Sequence, residues 1–193
     1  MRKLFFILAV VINLPAHAQE NGQIRFHFNF ANIGIGTNVP LHTSGTNGEL
    51  FFTLTNFGFE HKRTNLGMEF SPYKAIGWFG SNEPSTTNDM IFSLLNLKLF
   101  WNAVSSYDGS FYLGLFSTIN YIYVDERFYW NKYIFTAGLH SGLRASSNWI
   151  GYNIFSVETG FRVIEEKARF YAGFIIDIPV LVLLSIFLNS SSD

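Results

Sequence analysis

The sequence predicts an all-β fold, a closed antiparallel up-and-down transmembrane β-barrel of about eight strands. Three observations lead there. An export leader opens the chain, residue faces alternate with a period of two through most of the mature chain, and the composition is rich in aromatics and poor in charge.

The leader comes first. Met1-Arg2-Lys3 is a basic start, Leu4 to Leu14 is an apolar stretch, and Pro15-Ala16-His17-Ala18 supplies an Ala-x-Ala cleavage site. The apolar stretch is shorter than the about 20 residues a transmembrane helix needs. Cleavage is expected after Ala18, so residues 1–18 are a secretory signal peptide and 19–193 a single outer-membrane barrel domain.

Composition narrows the class. Charged residues make up 14% and aromatic residues 18%, with 22 Phe. Soluble domains carry about 25% charge, so this chain has little polar surface with which to cover itself. That suits an outer face turned to lipid. A soluble β-domain with a heavy aromatic core is the alternative. Lys plus Arg number 13 and Asp plus Glu 14, a balance that offers nucleic acid no basic surface. The absence of Cys excludes disulfides and thiolate metal sites.

Period-2 alternation then marks strands at about 23–37, 49–60, 65–78, 90–102, 110–124, 132–144, 150–163 and 169–178. The first opposes Ile24, Phe26, Phe28 and Phe30 to Arg25, His27 and Asn29. The second is ambiguous in phase, because Leu50, Phe52 and Leu54 lie opposite Phe51, Phe57 and Phe59. The third opposes Leu66, Met68 and Phe70 to Gly67, Glu69 and Ser71. In the fourth, Ile91, Leu95, Leu97, Leu99 and Trp101 face out, and Phe92, Leu94, Asn96 and Lys98 face in. The fifth is the clearest: Phe111, Leu113, Leu115, Ile119, Tyr121 and Tyr123 oppose Tyr112, Gly114, Phe116, Thr118 and Asn120. The last three turn His140 and Arg144, then Glu158 and Arg162, then Asp177 to the polar face.

An even strand count returns both chain termini to one side of the membrane. Stretches 38–48, 79–89 and Asp125–Asn131 are expected as extracellular loops, the last offering Phe128, Tyr129 and Trp130 for interfacial anchoring or an external ligand. His61–Thr64, Ala103–Gly109 and Ala145–Trp149 are expected as periplasmic turns, and Ile164–Ala168 as a short outer connection. The apolar tail Ile178–Leu188 either prolongs the last strand or lies as a cap at the interface. The sheet must close, because lipid offers no partner to a strand edge.

A signal peptide, a mature chain of about 175 residues and eight amphipathic strands together resemble the small eight-stranded outer-membrane barrels of the OmpA and OmpX type. The resemblance is architectural and carries no functional residues. It implies the fold and residence in the cell outer membrane, among lipids, in proteins that serve as anchors, adhesins or narrow pores.

The candidate site is the lumen. Arg25, Glu69, Lys98, Arg144, Glu158, Arg162 and Asp177 form the expected charge network, with His27 and His140 among them. Eight strands leave room for side chains and little else, so opposite charges should pair, Glu158 with a neighbouring Arg. The expected function is a non-enzymatic structural or surface-interaction role with a plugged lumen; a narrow pore is the alternative, and a lipid-modifying enzyme the third. For the enzyme, His140 and Ser141 are adjacent and so lie on opposite faces, while His42, Ser44 and Asp89 lie in loops. No cofactor, metal or nucleic-acid partner is expected.

Overall fold

A computed structural model describes residues 23–41, 47–79, 91–106, 110–124, 127–146, 150–164 and 167–178. The expected signal peptide, the residues His42, Ser44 and Asp89 expected in loops, and the tail beyond Ile178 lie outside these.

Eight antiparallel strands follow in chain order: β1 (Ile24–Pro40), β2 (Asn47–His61), β3 (Leu66–Phe79), β4 (Ile91–Ser105), β5 (Phe111–Val124), β6 (Arg127–Ser146), β7 (Ile150–Ile164) and β8 (Lys167–Asp177). Each pairs with the next, and β8 returns to β1, so the barrel is closed and up-and-down. The strands run a few residues past their predicted ends. The largest correction is at Asp125–Asn131, expected as a loop: β6 already begins at Arg127, and Tyr123 pairs with Phe128. Phe128, Tyr129 and Trp130 therefore belong to a strand backbone rather than a free loop.

The wall is inverted relative to a soluble protein. Among the described strand residues, every exposed one is apolar or aromatic except Lys167, the first of β8. All eight strands contribute, with Ile35, Leu54, Leu66, Leu99, Leu115, Leu139, Phe161 and Phe174 each 41% exposed or more. The buried set is mostly polar and includes Arg25, Glu49, Glu60, Glu69, Arg144, Glu158, Arg162 and Asp177.

One irregular row crosses four strands. On β1–β4, the inward residues Asn29, Asn56, Ser71 and Asn96 are separated from the next inward residues, Asn32, Thr53, Lys74 and Ser93, by two positions instead of one. The extra residues are Phe30, Thr55, Pro72 and Leu95, aligned by register and absent from the ladders. Thr55 and Leu95 adopt positive φ, 48° and 60°, and Pro72 has no N–H to give a ladder. The row is thus a bulge shared by four strands. Side chains occupy the carbonyls beside it: Ser71 Oγ lies 3.1 Å from both Leu54 O and Tyr73 O, and Asn96 Nδ2 donates to Ser71 O at 3.1 Å.

This crease explains two faces that alternation alone mistakes. β2 changes phase at Thr55, so Leu50 and Leu54 face out above it while Glu60 faces in below. β4 changes phase at Leu95, so Phe92, expected inside, is 38% exposed and Ser93 takes its place inside.

A second irregularity lies at the closure. β8 pairs with β1 only from Asn32 to Pro40. Nearer the Lys62–Asn65 turn, the described contacts across the seam include two parallel bridges, Phe26 to Ile150 and His27 to Gly151, and Asn29 Nδ2 bonds to Asn153 O at 2.9 Å and Asp177 Oδ2 at 3.1 Å.

Candidate functional site: the charged lumen

The alternation of β1 and β3–β8 turns all seven sequence-predicted residues inward, but they form separate clusters rather than one chain of pairs.

The cluster nearest the Lys62–Asn65 turn centres on Glu60. Its Oε2 accepts from Arg144 at 3.0 Å and Arg25 at 3.3 Å, and its Oε1 accepts from Asn102 at 2.7 Å. His27 Nε2 lies 3.3 Å from the same Oε2. Arg144 also donates through Nε to Asn153 Oδ1 at 3.0 Å and stacks 4.6 Å from the Tyr112 ring.

Above it, His140 sits among the rings of Phe100, Tyr112 and Phe116, at centroid distances of 5.7, 5.1 and 5.8 Å. Beside this aromatic layer, Lys98 donates to Glu158 at 2.8 Å. The expectation that Glu158 holds an Arg is therefore corrected: the ladder puts Lys98 opposite Glu69 on β3, and its long stem reaches across the lumen to β7. Asp177, at the end of β8, accepts from Asn29 at 3.1 Å and from the Tyr152 hydroxyl.

Towards the opposite end, Arg162 donates to Glu49 and to Thr136 Oγ1 and lies 3.7 Å from the Tyr171 ring. Asn38 supplies Glu49 with a further bond at 2.7 Å. An apolar layer of Phe51, Ile76, Ile122 and Ile134 packs in the interior here. Phe51 fits because its ladder partner is Gly34; a Cβ there would stand 2.1 Å from the ring.

Several interior charges escaped the alternation. Glu49 and Glu60 lie on β2, where the crease obscures the phase, Lys74 lies just beyond Pro72, and Arg169 on β8 has a buried Nε. With them, Arg25, Lys74, Lys98, Arg144 and Arg162 share the interior with Glu49, Glu60, Glu69, Glu158 and Asp177. The neighbouring signal that could have revealed them was Pro72, since a proline inside a strand pattern marks a bulge.

Between the Lys98 layer and the apolar layer lies a cavity of about 80 Å³, bordered by Asn32, Asn56, Glu69, Lys74, Asn96 and Asn120. Among the described residues no group of His, Asp and Glu side chains has the arrangement of a metal site. The lumen brings opposite charges into contact at separate levels and has space for a few waters at its middle.

Comparisons with models of known protein families, with curated proteins and with solved structures return no match to this chain.

Proposed function

We propose that this chain is a non-enzymatic integral outer-membrane barrel with a structural or surface-interaction role and a lumen sealed by its own side chains. The observation that carries the reading is the inverted wall: the described exposed strand residues, Lys167 apart, are apolar on all eight strands while most charges lie inside. In water such a surface would drive aggregation; in lipid it is the face a barrel requires. Strands of 11 to 20 residues meet the about 9–11 needed to cross a bilayer at a tilt. The leader accounts for export, and the resemblance to OmpA- and OmpX-type barrels agrees with the same placement.

The seal follows from the lumen. Charge pairs occupy its lower and upper levels, and the Phe51–Ile134 layer adds an apolar barrier. The second reading is a narrow pore, favoured by the mid-barrel cavity. Fractionation of cells expressing the full chain tests location: recovery with the outer membrane, with a faster gel band before heating than after, is expected. Recovery as a soluble periplasmic protein would refute it. Planar-bilayer recording separates seal from pore; steady ohmic single-channel current from the wild type would overturn the sealed lumen.

A further inference from the structure

We propose that the mid-barrel cavity is a binding site for a small zwitterion, a solute carrying one ammonium and one carboxylate. This goes beyond the membrane reading and rests on different observations.

The interior ion pairs use most of the charges. Arg25 and Arg144 share Glu60, Lys98 holds Glu158, and Arg162 holds Glu49. Asp177 has Asn29 and Tyr152. Two opposite charges make no contact this short, although Lys98 faces Glu69 across the ladder and Glu49 and Glu158 lie within electrostatic reach of Lys74; both border the cavity. Glu69 is 7% exposed and, among the described residues, makes no hydrogen bond or ion pair. Lys74 has no carboxylate within 4.0 Å among those residues; its ammonium lies 4.5 Å from the Phe51 ring.

Their placement is set by the crease. Glu69 is two residues before Ser71 on β3, and Lys74 is the first inward residue after the bulge at Pro72. The doubled spacing between inward rows separates the two groups along the strand and leaves the space between them. Asn32 and Asn56 line that space with amides that make no side-chain hydrogen bond among the described residues, and the Thr53 and Thr118 hydroxyls join them. A volume of about 80 Å³ has room for several waters or one small polar solute.

The chemistry selects the ligand class. A carboxylate beside Lys74 and an ammonium beside Glu69 would each find an opposite charge, and the free amides supply both donors and acceptors. A simple anion would bring no cation to Glu69, and a simple cation would bring no anion to Lys74, so each uses one of the two charges that border the cavity. The cavity also reaches Asn153, Ile154 and Asp177, where β8 has ended. There the described contacts between β1 and β7 include two parallel bridges and the Asn29 bond to Asn153 O.

The test uses the refolded full-length barrel in lipid nanodiscs, with glycine as the probe and acetate and methylammonium as controls. Backbone amide shifts of Asn32, Asn56 and Asn96 are followed by solution NMR. Saturable shifts with glycine are expected, with apparent affinity at least about tenfold weaker for each control. Glu69→Gln and Lys74→Met should each weaken glycine binding by a similar factor while keeping the faster unheated gel band. The proposal is overturned if glycine gives no saturable shift, if the three probes act alike, or if both variants bind as wild type. Should either variant fail to fold, the comparison of the three probes on the wild type decides alone.

Discussion

Replacing Glu60 by Ala should destabilise the barrel more than removing any interior carboxylate that holds only one cation. Glu60 accepts from Arg144 at 3.0 Å, from Arg25 at 3.3 Å and from Asn102 at 2.7 Å. Without it, two guanidinium groups lose their carboxylate together. The Arg144 side chain is 1% exposed and that of Arg25 is 9%, so Arg144 bears most of the penalty. It keeps Asn153 Oδ1 and the Tyr112 ring face, which offsets part of the loss. Breaking a buried pair from one side costs about 3–5 kcal/mol, and this range is expected for Glu60→Ala. Glu158→Ala strands Lys98 instead, whose side chain is 15% exposed and lies opposite Glu69 in the ladder. A cation that can turn to a second carboxylate and to cavity water should cost less, about 1–2 kcal/mol. Urea titration in lipid vesicles, with folded fraction read from the unheated gel band, measures both. Glu60→Ala within about 1 kcal/mol of wild type, or Glu158→Ala costing more than it, would refute the layered charge network.

Leu139→Arg, on the outer face of β6 and 52% exposed, should cost about 2–4 kcal/mol in the same assay, whereas Thr136→Ser keeps the hydroxyl that Arg162 uses and should be mild; equal tolerance would show that the two faces are exchanged. Gly34→Ala drives a methyl into the Phe51 ring and should cost about 1–3 kcal/mol. Combining it with Phe51→Leu should recover part of that loss, and strict additivity of the two changes would disprove the contact. Thr55→Gly should stabilise by up to about 1 kcal/mol, because φ of 48° suits glycine better than a β-branched residue; a loss of stability would show that Thr55 is not strained.

Much of the wall was legible because strand alternation is local. A pleated strand turns successive side chains to opposite faces whatever its neighbours do, so Phe111 to Asn120 and Tyr133 to Arg144 read correctly from their own residues. Arg25, Glu69 and Arg162, each flanked by apolar residues on both sides, are buried. The reading failed where the phase slips. Nothing in Leu50–Phe59 alone shows that Thr55 is an extra residue. Its bulge is stabilised by alignment with Phe30, Pro72 and Leu95 on strands 17 to 40 residues away in sequence.

From the sequence alone came the number of strands, their order and the inverted polarity of the wall, since period and composition are properties of each segment. The tertiary structure decided which charge meets which. Lys98 lies opposite Glu69 yet reaches Glu158, and Glu60 gathers cations from β1 and β6. Such pairings depend on where strands distant in sequence come to face one another across a closed lumen. Register and closure set those distances, and Coulomb attraction in a confined space then selects among the partners within reach.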